Sequence, residues 1–171
     1  NFSNVRARLI DLTARLPVDP QITAVDVSLC SMMEVDNVAI DAGQYYIPGM
    51  SLPTANTSYG LCTPRLNNGA YTRIGTLGVI GFYYGIQISE HTQAHDLAIF
   101  GCSRAAEFVA ANHSSWVSRM GVYDCPRALV FTGGTHVTHI GTIQIEHDAT
   151  TWAPVYDLDD GSNYASGSLR W

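Results

Sequence analysis

The run from Tyr71 to Ile88 constrains this chain more than any other stretch. It reads Tyr-Thr-Arg-Ile-Gly-Thr-Leu-Gly-Val-Ile-Gly-Phe-Tyr-Tyr-Gly-Ile-Gln-Ile. β-Branched and aromatic residues dominate it, and such side chains suit a pleated, half-buried surface. Glycines 75, 78, 81 and 85 imply bulges, bends or close backbone approach within it. Shorter strand candidates lie at 21–33, 35–40, 45–47, 97–100, 116–122 and 128–131. Residues 135–147 alternate, which puts Val137, Gly141, Ile143 and Ile145 on one face and Thr138, Thr142, Gln144 and Glu146 on the other.

Two segments carry a helical signal instead. In 3–16, Ser3 can cap a helix, Val5, Leu9, Leu12 and Leu16 recur at helical spacing, and Pro17 and Pro20 end the pattern. In 103–111, Ser103 precedes Arg-Ala-Ala-Glu-Phe-Val-Ala-Ala. Residues 48–69 are rich in Pro, Gly, Ser, Thr and Asn and read as a long irregular excursion. Residues 155–171 read as a flexible acidic tail. No internal repeat is visible. The expectation is a single domain over 1–171, mainly β: an antiparallel, jelly-roll-like β-sandwich with two short helices. A mixed α/β sheet is the alternative, because 97–131 can be read as strand–helix–strand.

Composition narrows the function classes. Hydrophobic residues make up 46% and charged residues 14% of the 171, against roughly a quarter charged in an average domain. All nine basic residues are Arg and the net charge is −6. That apolar content excludes a disordered chain. No apolar run is long enough to cross a membrane as a helix. The acidic balance excludes a general nucleic-acid binder, leaving at most weak contact through Arg6, Arg8 and Arg15. Strands without Lys lack the usual charged guards of exposed edges, which suits faces that meet other protein.

Candidate chemistry is sparse. His91 and His95 stand four apart beside Glu90 and Asp96 and are weak metal candidates, since nothing around them is helical and no HExxH occurs. Three groups from separate segments would be needed, with His136, His139 or His147 as the third. No GxSxG, phosphate loop or paired carboxylates appear, so no catalytic residue and no cofactor are assigned. The Asp157–Gly161 segment lacks the spacing of a calcium loop. Cys30, Cys62, Cys102 and Cys125 have no zinc spacing; they allow two disulfides, although apolar flanks favour buried thiols. Sequons begin at Asn1, Asn56 and Asn112. The many Tyr and Trp residues suit protein contacts or sugar stacking.

Asn67-Asn-Gly-Ala-Tyr-Thr-Arg73-Ile-Gly75 before a long strand, and Ile140-Gly-Thr-Ile-Gln-Ile-Glu-His147 before Pro154, resemble strands of small icosahedral virus jelly-roll coat proteins. The short helix at 103–111 is also similar. The resemblance covers about a third of the chain. It implies a virion subunit that assembles with itself or with homologous coat subunits, with Arg6, Arg8, Arg15, Tyr59 and Arg73 as contact residues. Where many coat proteins carry an Arg/Lys-rich arm, this sequence has only Arg6, Arg8 and Arg15 near its start. A secreted, lectin-like carbohydrate-binding sandwich is the alternative function, and a His-metal enzyme the second.

Overall fold

Parallel pairing organises the chain. The structure, a computed structural model, describes residues 6–17, 20–43, 52–54, 57–63, 71–109, 113–132, 135–146, 155–158 and 163–164. Strands are numbered in chain order. The odd ones build a seven-stranded sheet: β1 (Arg6–Arg15), β3 (Met32–Asp41), β5 (Tyr71–Ile80), β7 (Thr92–Phe100), β9 (His113–Tyr123), β11 (Thr135–Glu146) and β13 (Asn163–Tyr164). The even ones build a six-stranded sheet: β2 (Val25–Asp26), β4 (Tyr59–Cys62), β6 (Tyr84–Ile88), β8 (Arg104–Phe108), β10 (Arg127–Phe131) and β12 (Val155–Leu158). Neighbouring strands in both sheets are parallel. The chain alternates between the sheets, one long and one short strand per coil, so it winds as a parallel β-solenoid. Each coil contacts its neighbours, and equivalent residues stack in rows along the axis.

This corrects the antiparallel jelly-roll sandwich and its α/β alternative. No helix occurs among the described residues. Of segment 3–16, residues 6–15 are β1, and of 103–111, residues 104–108 are β8. The first error has a clear cause. Asp11 and Asn37 share a positive φ of 51° in adjacent strands, and Asp36 and Asn37 are both exposed, so the alternation resets there without a slip in register. Leu9 packs against the core and Leu12, three residues on, stacks in register beside buried Val38, as Val35 and Val38 both lie in the core. That spacing imitates a helix. In β8, Ala-rich helix propensity loses to the register, which sets Arg104, Ala106, Glu107 and Phe108 beside Tyr84, Ile86, Gln87 and Ile88.

Other boundaries shift as well. The Tyr71–Ile88 run is two strands, β5 and β6, bent at Gly81. The excursion at 48–69 contains β4, and the segment expected as a tail supplies β12 and β13 to the sheets. In β11, Ile140 joins Ile143 and Ile145 on the core side, while Gly141 is exposed.

A repeat does run through the chain. Ala39-Ile-Asp-Ala-Gly, Gly78-Val-Ile-Gly-Phe, Ala98-Ile-Phe-Gly-Cys and Gly121-Val-Tyr-Asp-Cys are the ends of consecutive long strands with the corner that follows. Gly81, Gly101 and Asp124 take φ of 80°, 56° and 52° at that corner. Glycine takes this left-handed turn without strain, and Asp is among the few other residues that tolerate it. Their amides donate to Phe100, Tyr123 and Glu146 of the next coil at 3.0, 2.9 and 2.8 Å. Inside the corner, Phe82, Cys102 and Cys125 stack, all buried. Gly60 and Gly85 bring the two sheets close, since a Cβ on Gly85 would lie 2.5 Å from Ile99 Cγ2 and 2.6 Å from the Ala105 carbonyl.

All four cysteines are free thiols, and Cys62, Cys102 and Cys125 are buried. Burial, then the bond with Cys102, pushes the Cys125 thiol well above its ordinary 9.0. In the unfolded chain that thiol ionises at its ordinary value, so this contribution to stability is complete below pH 9.0 and falls as pH rises further. Native alkylation should modify Cys30 alone, with the other three thiols reacting only in denaturant. Intact-mass counting of adducts checks this; three or more adducts on the folded chain would contradict it.

Candidate functional site: a groove along the long sheet

The outer face of the long sheet is shaped by side-chain size. Where the solenoid stacks in register, Thr13, Ala39, Gly78, Ala98, Gly121 and Gln144 occupy one row. With strands about 4.8 Å apart, this row runs about 24 Å along the axis. The small residues at its middle leave an open groove of about 520 Å³. The floor is open at Gly78: a Cβ there would meet only the Val38 carbonyl, at 4.0 Å.

One wall is polar. Thr76, Asp96, Arg119 and Thr142 follow one another in register, and Asn37 and Asp11 extend the line. Arg119 grips Asp96 with two hydrogen bonds, Nε to Oδ1 at 3.0 Å and Nη2 to Oδ2 at 2.5 Å. This fork fixes both planes, and the hydrogen bond to Asp96 holds the Arg119 pKa above its ordinary value. Asn37 Nδ2 donates to Asp11 Oδ1 at 2.6 Å, and the Thr76 amide donates to Asp36 Oδ1 at 3.2 Å. On the other side the groove is bounded by Tyr123, with Phe100 stacked on it outside the lining. Phe100 and Tyr123 stack with ring centroids 4.4 Å apart, and Phe100 is 38% exposed. The Tyr123 ring leans over the floor, since a Cβ on Gly121 would lie 2.7 Å from its Cε2 and OH.

The residues expected from sequence to make contacts scatter. Arg6, Arg8 and Arg73 do converge, with Met32, Glu34 and Tyr71, around a second hollow of about 460 Å³. There Arg8 Nε is tied to Glu34 Oε2 at 2.8 Å. Arg15 lies at the far end of β1. Tyr59 is in the other sheet, stacked on Tyr84 at 4.5 Å. Burial, the largest effect, and the Glu107 carboxylate raise the Tyr84 phenol, whose oxygen accepts from Arg104 Nη1 at 2.8 Å.

His91 turns the chain at φ 53° before β7, with Nδ1 3.8 Å from Glu90 Oε1. His95 points to a different, 110 Å³ hollow beside Glu34, Asp36 and Arg73. His139 lies against Trp116, ring centroids 4.3 Å apart; the side chains of His136 and His147 lie outside the described residues, as do the three sequon asparagines. Among the described residues no three His, Cys, Asp or Glu side chains gather as a metal site. No described helix is long and apolar enough to cross a membrane.

Sequence reasoning missed the groove residues because Ala39, Gly78, Ala98 and Gly121 look featureless one at a time. Their common place in the repeat was the available signal. Fold and groove together define the class: a parallel β-solenoid with a shallow, polar and aromatic outer face. Comparison with protein-family models, curated proteins and solved structures finds no match to this chain. Of the two stretches that resembled jelly-roll strands, residues 71–75 belong to β5 and 140–146 to β11, both in a parallel sheet.

Proposed function

We propose that this chain binds a linear, neutral, hydroxyl-rich polymer, a polysaccharide, along the groove of the long sheet. The observation that carries this is the groove's cross-section: a floor of small residues between the Tyr123 ring, backed by Phe100, and a line of polar side chains. Aromatic faces offer broad contact area at low entropic cost. Asp, Arg, Thr, Asn and Gln side chains offer oriented donors and acceptors for hydroxyls. A long row suits an extended ligand better than a compact one.

Two further points support a sugar polymer. The groove lies on the face of a sheet, where backbone groups are already paired, so a peptide cannot add to it as a strand. Asp96 and Arg119 compensate each other, which leaves little net charge in the middle to select a polyanion. The reading is binding rather than catalysis, because the central carboxylate is committed to Arg119. It keeps the carbohydrate alternative raised by the sequence and moves it from a sandwich to a solenoid.

The test is calorimetric titration of the purified chain with a panel of linear neutral and acidic oligosaccharides. At least one neutral member should bind, more tightly as its length grows toward that of the groove. Tyr123→Ala should then weaken binding about 30-fold, the loss expected on truncating a central aromatic anchor. Failure of the whole neutral panel would overturn the proposal.

A further inference from the structure

The two ends of the long sheet are complementary, and we propose that copies of this chain stack head to tail through them. The first end is β1, paired on one side with β3. The second is β11, whose far side, among the described residues, is paired with β13 at Thr135 and His136 alone. Among the described residues, Val137–Glu146 thus has an open edge, and so does β1, which is ten residues long. Continuing the rows of the solenoid by one strand sets Arg6–Arg15 of the next copy beside Val137–Glu146, residue for residue.

Three features match in that register. The core-side rows continue, with Leu9, Leu12 and Ala14 meeting Ile140, Ile143 and Ile145. These side chains are incompletely covered within one molecule: Leu12 is 37% exposed, and Ile140, Ile143 and Ile145 are only partly buried. The charges also match. Arg15 begins the row Arg15–Asp41–Ile80–Phe100–Tyr123–Glu146, so Glu146 would face Arg15 of the next copy. Finally, the groove row ends at Gln144 and restarts at Thr13, so stacking would join the grooves of successive molecules. The contact is head to tail and its two surfaces differ, so it generates an open line rather than a closed dimer.

The test is analytical ultracentrifugation of the full chain over a concentration series, with electron microscopy of the largest species. The wild type should form linear oligomers that lengthen with concentration. Glu146→Arg sets like charges together and should weaken association about tenfold or more. Adding Arg15→Glu to Glu146→Arg should restore it. Circular dichroism on each variant confirms that β structure is retained. A wild-type monomer at every concentration would overturn the proposal, as would association indifferent to Glu146→Arg or a double variant no better than the single. This outcome is independent of sugar binding, which is read on the monomer.

Discussion

Gly78→Trp should abolish polysaccharide binding while leaving the fold intact. A Cβ at this position meets nothing closer than 4.0 Å, so the substitution needs no rearrangement beneath it. The backbone there is ordinary strand, and replacing glycine with an aromatic residue favours the strand conformation. The indole would instead fill the floor of the groove beside Thr76 and Ala98. Thermal unfolding should therefore occur at or slightly above the wild-type temperature, while calorimetry shows no heat of binding for a ligand the wild type holds. Retained affinity in a folded Gly78→Trp chain would place the ligand elsewhere. Ala98→Gly, which enlarges the same floor, is the contrasting variant and should keep binding.

Phe82→Ala should have the largest effect on stability, about 3–5 kcal/mol. Phe82 is fully buried at the corner between β5 and β6. Its ring fills space that Gly60 leaves open, 3.4 Å from where a Cβ on Gly60 would stand. Its amide donates to Cys102 Sγ at 3.5 Å, and its carbonyl accepts from the Ser103 amide at 3.1 Å. Removing the ring leaves a cavity that coils stacked above and below cannot close without breaking register. Urea unfolding measures the loss. A change below about 1 kcal/mol would mean that the corner is not packed as described.

The sequence showed the β character of this chain through particular residues, and hid the way its strands pair through others. The Tyr71–Ile88 run could be read as strand because its side chains are branched and aromatic. Nothing in one strand states whether its neighbour runs parallel. That information lies in the recurrence of the small–aliphatic–corner pattern, and unequal coils disguise it. Val38 pairs with Leu77, thirty-nine positions on, whereas Leu77 pairs with Leu97 after twenty and Leu97 with Met120 after twenty-three. The positive φ at Asp11 resets the alternation of β1 and so gives Leu9 and Leu12 a helical spacing.

The groove was less legible still. Asp96 and Arg119 are far apart in sequence and have no motif; only the parallel register sets them side by side. Phe100 and Tyr123 had the same fate. Among the residues marked early, Arg15 lies at the end of a row beside Asp41, whereas Tyr59 is stacked on Tyr84 in the other sheet.

The most direct measurement of the central claim is amide chemical-shift mapping by NMR during titration with the tightest-binding neutral oligosaccharide. Shifts should concentrate at Ala39, Gly78, Ala98 and Gly121 and at the wall residues Thr76, Asp96, Arg119 and Tyr123, in one continuous line across the strands. Amides of β4, β6, β8 and β10 should stay still. Shifts confined to the short sheet or to the Arg6–Arg73 hollow, with the groove silent, would contradict it.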